Sequence, residues 1–173
     1  MRVPVARHGR HLLTVVAATT ACVALAASGA LAAVGDLTRA NGVQLSLPDG
    51  WSKVAPATDT RTDPRTLLVI GTDGVKPITS DCQVSSYRVP ADGAVVVVIG
   101  WRDSVGASYL PLSAMRLRRG TFECFAGRGA VGRITRRDRD FQVNVLVGDR
   151  ASDATIADAL DAARSLGVSP RVG

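Results

Sequence analysis

Histidine is nearly absent from this 173-residue chain, because His8 and His11 are its only two histidines. Residues after position 11 therefore cannot supply the histidine of a Ser-His-Asp or Cys-His arrangement, or a histidine ligand for a metal. Lysine is equally scarce, and serine–lysine catalysis would have to use Lys53 or Lys76, both in polar segments. The single glutamate is Glu123, so aspartates are nearly all of the candidate acids.

A glycine-rich segment, residues 127–132, matches the G-x-G-x-x-G pattern of dinucleotide-binding proteins. That pattern holds a pyrophosphate only where a strand precedes it and a helix follows it. Here residues 133–136 continue as a strand, and no acidic residue about twenty positions later is placed to bind ribose. We therefore interpret the segment as a glycine-rich turn and expect no cofactor.

Asp138 and Asp140 lie in a predicted turn and suggest calcium at first sight. Arg137 and Arg139 alternate with them and would repel a cation, and the further oxygen ligands are missing from the local spacing. We expect no metal site. A hydrolase that uses two aspartates remains an alternative, and it would need a cleft that brings both carboxylates together.

The N-terminal residues are typical of a secretory signal peptide, with arginines, then an uncharged apolar run over residues 12–27, then small residues at Ala30 and Ala32. We predict that residues 1–32 are removed after Ala32, so that the protein is extracellular or in the cell envelope. There is no twin arginine, which favours the general secretory route. The basic residues of this segment are Arg2, Arg7 and Arg10.

Two alternatives for this segment stay open. Residues 12–34 carry no charge and are long enough to span a bilayer, which would make the protein a single-pass membrane protein with its domain outside. Lipidation at Cys22 is the other alternative. In both cases the N-terminal segment would engage the membrane.

Cys82 and Cys124 are the cysteines that follow the N-terminal segment. An even number of cysteines in an exported chain predicts a disulfide bond between them. The alternative is two separate buried thiols.

Residues 93–101, GAVVVVIGW, predict the central strand of the fold. Because the run does not alternate, we expect both faces of this strand to be covered by other parts of the chain. Residues 43–47 and 51–54 predict a hairpin around the turn 48–50, and residues 131–136 and 141–147 predict another. Further strands are expected at residues 67–70 and 121–125.

A C-terminal helix is predicted from the sequence that follows the last of these strands. Ser152 is its expected N-cap, Ile156, Ala159, Leu160 and Ala163 form an apolar stripe, and Gly167 fits the position just after the helix. The predicted class is α+β: an antiparallel β-sheet with a C-terminal helix packed on one face, preceded by an N-terminal signal or anchor helix. Residues 33–42 are expected to be a linker, and residues 43–170 a single domain.

Arginine is concentrated in one part of the chain. We predict that these residues form a surface for an anionic envelope polymer or for lipid headgroups, and the alternative is a solvated sheet face. Aromatic residues are not interleaved with the arginines, so no nucleic-acid partner is expected. The arginines of this candidate surface are Arg128, Arg133, Arg136, Arg137 and Arg139.

Two segments carry a resemblance to known proteins: LSLPDGW at residues 45–51 and ADALDAARSL at residues 157–166. They resemble small exported actinobacterial domains of unknown function, and the turn and terminal helix are similar to the PsbP-like α/β/α sandwich. The resemblance implies a fold and export, and it carries over no catalytic or binding residues. We predict a non-enzymatic exported domain that binds or scaffolds an envelope component, with a membrane-anchored accessory subunit as an alternative.

Overall fold

The computed structural model describes residues 36–57, 63–84, 86–106, 108–122 and 125–169. They belong to one compact unit, residues 33–173. The predictions for the signal peptide 1–32, the anchor 12–34, Cys22 and Cys124 concern residues outside this described part.

The described part contains eleven strands, one α-helix and one short 3₁₀-helix, at residues Leu112–Ala114. The strands and the helix, in chain order, are β1 Asp36–Ala40, β2 Val43–Leu47, β3 Trp51–Lys53, β4 Arg65–Thr72, β5 Lys76–Pro77, β6 Tyr87–Arg88, β7 Ala94–Gly100, β8 Arg118–Phe122, β9 Phe125–Arg136, β10 Arg139–Val147, α1 Asp153–Arg164 and β11 Gly167–Val168.

The main sheet has six strands in the order β3-β4-β7-β10-β9-β8, and each neighbouring pair is antiparallel. A second sheet has the order β1-β2-β11, and β5 pairs with β6. The helix α1 contacts β7, β10 and β2. The prediction of an antiparallel sheet with a C-terminal helix on one face is therefore confirmed.

Strand β7 is central and buried along its whole length, as its run of β-branched residues predicts. Val96 and Val98 belong to a cluster that α1 covers, and we call this side the helix face. Val95 and Val97 belong to a second cluster with Val84 from the segment between β5 and β6. Both clusters lie within residues 33–173, so this unit has its own hydrophobic core and meets the description of an independently folding domain.

The helix begins as predicted, because the Ser152 side chain accepts a hydrogen bond from the backbone N–H of Thr155 at 3.1 Å. Its inner face is built from small residues, which allow the helix backbone to lie close to the sheet. Ile156 and Leu160 are only partly buried and pack at the margin of the cluster. The fully buried helix residues are Ala159, Ala162 and Ala163.

The predicted role of Gly167 is wrong. Ser165 is the C-cap of α1, and Gly167 is already the first residue of β11, paired with Gln44 of β2. A Cβ atom on Gly167 would lie 2.8 Å from the Gln44 side chain. Glycine here leaves room for the Gln44 side chain where β11 pairs with β2, and it does not end the helix.

The predicted linker, residues 33–42, is wrong over residues 36–42. Asp36–Ala40 form β1, and Asn41 and Gly42 have positive φ values of 49° and 79° in the turn that leads to β2. The strand can be polar because it lies at the edge of a sheet and is mostly exposed. Backbone pairing with β2 holds it in place. The Asn-Gly pair is the sequence signal for such a turn.

The predicted hairpin of residues 43–47 and 51–54 is also wrong, although both strands exist. The turn at Pro48–Gly50 carries the chain from one sheet to the other, since β2 pairs with β1 and β11, whereas β3 pairs with β4. Both strands still contribute to one cluster, since Leu45 and Trp51 are buried together on the helix face.

Residues 127–132 are not a turn but part of the twelve-residue strand β9. A Cβ on Gly132 would lie 2.6 Å from the Leu112 side chain and 2.9 Å from the Met115 sulfur, so glycine lets these residues cover the strand. The turn between β9 and β10 is Arg137-Asp138, both with positive φ. The strand expected at residues 121–125 is divided between the end of β8 and the start of β9.

Candidate functional site

The five arginines of the predicted anionic-partner surface all lie on β9, β10 and their connecting turn. Arg128 and Arg139 mark opposite ends of this hairpin, since Arg128 pairs with Val147 and Arg139 pairs with Arg136. We call the end of the main sheet near Gly148 the Gly148 end, and the opposite end, where Arg139 starts β10, the arginine end. The structure therefore separates the five residues into groups with different surroundings.

Arg128 belongs to the framework of the Gly148 end. One guanidinium nitrogen, Nη2, donates to the backbone carbonyl of Gly148 at 3.2 Å and to that of Ala151 at 3.3 Å. These carbonyls lie in the segment that leads from β10 into α1. Arg128 thus fastens the start of the helix segment to β9 and is only partly exposed.

Arg133 is engaged on the face of the sheet opposite the helix. Its Nε donates to Gln142 Oε1 at 2.6 Å, and Gln142 Nε2 donates to Asn144 Oδ1 at 2.9 Å. Gln142 and Asn144 are each 4% exposed. These hydrogen bonds hold Arg133 against the second face of the sheet, where it is partly exposed.

Arg136, Arg137 and Arg139 do come together at the arginine end, and Arg136 and Arg137 are exposed. Arg139 is joined there by two arginines that the sequence reasoning missed, Arg65 and Arg102. With Asn41 and Asp103, these three arginines line an open groove of about 480 Å³. We call it the arginine groove.

Strand register explains why three residues so far apart in sequence line one groove. Arg65 of β4 is opposite Gly100 of β7, and Gly100 is opposite Phe141 of β10. Because strand residues two apart share a face, Arg139 lies on the same side of β10 as Phe141. Arg102 follows two residues after the end of β7 and also lines the groove. The ends of three adjacent strands therefore place one arginine each at the same edge.

Several contacts fix the groove. The Arg139 guanidinium lies over the Phe141 ring, 5.0 Å from its centroid, and Arg139 Nε donates to the Trp101 carbonyl at 3.4 Å. Gly100 leaves room for Phe141, since a Cβ there would lie 3.3 Å from the ring and 2.6 Å from the Leu67 side chain. The planar head of Arg139 is thus held in one orientation.

The wall opposite is held by the β1–β2 turn. Asn41 Nδ2 donates to the Leu67 carbonyl at 2.8 Å, at the bulge of β4 between Thr66 and Leu68. Next to it, the backbone N–H of Arg102 donates to Asp63 Oδ1 at 3.0 Å. These bonds bring the β1–β2 turn and the segment after β7 against the start of β4.

The groove carries more positive than negative charge, with three arginines and one aspartate. Arg65, Arg136 and Arg137 form no ion pair with a carboxylate of the described residues. Guanidinium groups present paired N–H donors in a plane, which match the oxygens of a carboxylate or a phosphate. Chemically the groove can bind and orient an anionic group.

Asp140 is the one aspartate of the described residues that is fully buried, at 2% exposure. Its carboxylate accepts hydrogen bonds from the hydroxyls of Ser104 and Thr135 and from the backbone N–H of Val105 at 2.8 Å. These bonds hold the segment after β7 on the sheet. No second fully buried aspartate is found among the described residues.

Among the described residues, no group of three or more histidine, cysteine, aspartate or glutamate side chains is placed to share a metal ion. In the same part of the chain, no helix has the length and apolar character needed to cross a membrane. Comparison of the chain with protein-family models, with curated proteins and with solved structures finds no match.

Arg65 and Arg102 were missed because the sequence signal for them is indirect. Arg102 follows the buried run of β7, and Arg65 precedes the apolar run of β4. Antiparallel neighbours bring the end of one strand to the start of the next. An arginine beside the buried run of each of two strands therefore indicates a shared charged edge, provided that the two strands are predicted to pair.

Proposed function

We propose that this protein is an exported, non-catalytic binding domain of the cell envelope that holds an anionic group of its partner in the arginine groove. The observation that carries the proposal is the meeting of Arg65, Arg102 and Arg139 in one open groove. Export follows from the signal sequence proposed for residues 1–32, and the partner is an anionic envelope polymer or a lipid headgroup.

The groove suits binding because its donors are fixed before the partner arrives. Arg139 is held by the Phe141 ring and the Trp101 carbonyl, so less side-chain freedom is lost when an anion binds. The three arginines come from rigid strand ends and their immediate continuations rather than from one flexible loop. Because the groove is open, it accepts one unit of a long polymer or a headgroup without enclosing it.

The second candidate is a membrane-anchored accessory subunit. Strand β1 begins at Asp36, so an anchor that ended at residue 34 would leave a single residue before the domain. Such a short tether suits a subunit that stays fixed beside a membrane partner. The intact mass of the exported protein separates the two candidates, since cleavage after Ala32 removes residues 1–32 and retention leaves them in place.

The test of the proposed function compares two triple variants of equal charge. The first is Arg65→Ser, Arg102→Ser and Arg139→Ser, and the control is Arg88→Ser, Arg118→Ser and Arg150→Ser, three exposed arginines outside the groove. Retention on immobilised dextran sulfate and on anionic vesicles is measured against salt, which screens exposed charges over about 8 Å at physiological ionic strength.

We expect the wild type and the control variant to be retained at low salt on at least one of these surfaces and the groove variant to be lost from it. Equal retention of the two variants would overturn the groove as the site. Absence of any salt-sensitive retention of the wild type would overturn the proposed function and leave a solvated arginine surface.

A further inference from the structure

Large apolar side chains are exposed next to the arginine end. Five large hydrophobic residues of the described part are exposed, and three of them lie within six positions of one segment, residues 105–110. Val105 is 59% exposed, Tyr109 is 63% exposed and Leu110 is 38% exposed. We call this segment the apolar loop.

The apolar loop is held at both ends, so its side chains are exposed by the fold itself. At its start, Asp140 accepts hydrogen bonds from the Ser104 hydroxyl and from the Val105 N–H. At its end, Leu110 and Arg133 form an antiparallel bridge with two backbone hydrogen bonds, of 3.0 and 2.7 Å. A segment fixed in this way keeps more than half of the Val105 and Tyr109 side chains exposed to solvent.

Positive charge is also found at this end of the sheet. Tyr109 lines a small cavity together with Trp101 and Arg133, and Asp140, which holds the loop, directly follows Arg139. The arginines of this end are Arg65, Arg102, Arg133, Arg136, Arg137 and Arg139, and the aspartates are Asp63, Asp103, Asp138 and the buried Asp140. The end therefore has a positive surplus beside exposed apolar groups.

We propose that the arginine end docks on an anionic lipid bilayer, with Val105 and Tyr109 inserted among the headgroups and the arginines on lipid phosphates. This inference rests on the proposed function and names its partner. The combination of arginines and exposed apolar side chains favours lipid as the partner. A bilayer would bury the apolar side chains, whereas a hydrated anionic polymer would leave them in water. Tyrosine, with a polar tip on an apolar ring, is well suited to the membrane interface.

The experiment uses residues 33–173, which carry both hydrophobic clusters, and each variant is first checked for cooperative thermal unfolding. Binding is measured to vesicles of phosphatidylglycerol mixed with phosphatidylcholine, to vesicles of phosphatidylcholine alone, and to dextran sulfate. The apolar variant is Val105→Ser with Tyr109→Ser. Its matched control is Leu37→Ser with Ile78→Ser, two apolar residues exposed elsewhere, at 50% and 38%.

The wild type is expected to bind the anionic vesicles and not the neutral ones. The apolar variant should lose about tenfold in affinity for anionic vesicles, because burial of the two side chains is removed. It should retain its affinity for dextran sulfate, and the Leu37–Ile78 control should bind like the wild type. The Arg65–Arg102–Arg139 variant should lose about 100-fold on anionic vesicles.

The outcomes separate this inference from the proposed function. If the apolar variant binds anionic vesicles as the wild type does, the bilayer proposal is overturned. If the wild type binds dextran sulfate through the groove but no vesicle, the bilayer proposal again fails, while the proposed function stands. If neither surface retains the wild type, both fail. Trp101 gives a second readout, since docking should shift its emission to shorter wavelength in the wild type.

Discussion

Arg128 and Arg139 lie at opposite ends of one β-hairpin, and the structure surrounds them differently. Arg128 donates to two backbone carbonyls of the segment that leads into α1. Arg139 lies on the Phe141 ring at the edge of an open groove shared with two other arginines. The comparison teaches that the role of an arginine depends on the acceptors around it, which the sequence alone does not give.

The two ends of the sheet also differ in the groups that surround their side chains. At the Gly148 end, backbone groups bond one another: Gly148 N–H donates to the Gly93 carbonyl at 2.9 Å, and Arg150 N–H donates to the Ala91 carbonyl at 2.6 Å. At the arginine end, guanidinium groups face an open groove. We therefore expect substitutions at the Gly148 end to change stability, and substitutions at the arginine end to change binding.

The largest expected effect concerns the predicted disulfide. Cys82 lies between β5 and β6, and Cys124 lies outside the described residues, so the bond between them stays a prediction from the sequence. A bond between Cys82 and Cys124 would close a loop of about 42 residues, which on the chain-entropy model stabilises a fold by about 4 kcal/mol. Replacing both cysteines by serine should lower the free energy of unfolding by about that amount. Free thiols in the exported protein, seen by mass spectrometry without reduction, would contradict the prediction.

Glycine substitutions compare the two ends directly. A Cβ on Gly148 would lie 2.1 Å from the Pro90 carbonyl oxygen and 2.4 Å from that of Ala91, and backbone atoms cannot move aside cheaply. Gly148→Ala should cost about 3 kcal/mol. Gly100→Ala at the arginine end meets mainly the movable Leu67 side chain and should cost about 1 kcal/mol. Chemical denaturation measures both, and equal costs would mean that the ends are equally rigid.

Arginine substitutions give the next smaller effect. Arg128→Ser leaves the Gly148 and Ala151 carbonyls without this donor and should cost about 2 kcal/mol. Arg65→Ser, on an exposed residue of the groove, should change stability by no more than about 0.5 kcal/mol. Thermal and denaturant unfolding of the two single variants measure this difference. A large loss of stability in the Arg65 variant would show that the groove is a structural element.

Sequence reasoning succeeded where one pattern decides the structure. The uninterrupted run of β7, the alternation in β10 and the apolar stripe of α1 were each enough to predict the element. The polar residues Gln142 and Asn144 of β10 are nevertheless buried too. Sequence reasoning failed for Asp36–Ala40, because a polar edge strand is held by backbone pairing and leaves no periodic apolar signal. The glycines of β9 likewise look like a turn until Leu112 and Met115 are seen to cover Gly132.

The candidate site was predicted only in part, for a related reason. Arg136, Arg137 and Arg139 are close in sequence and remain close in the fold. Arg65 and Arg102 join Arg139 only through the register of three strands, which depends on tertiary pairing rather than on local pattern. The resemblance to exported sandwich domains stays a prediction. In the described residues, the face opposite α1 is covered by the segment that carries β5 and β6.

The central claim, that Arg65, Arg102 and Arg139 form the anion-binding surface, is tested most directly by chemical protection. Residues 33–173 are treated with phenylglyoxal at low salt, alone, with dextran sulfate and with phosphatidylglycerol-containing vesicles, and modification of each arginine is followed by peptide mass spectrometry. At least one of the two anionic partners should slow the modification of Arg65, Arg102 and Arg139 and leave that of the exposed Arg88 and Arg118 unchanged. Uniform modification of all five with both partners, or protection of Arg88 and Arg118 alone, would contradict the account.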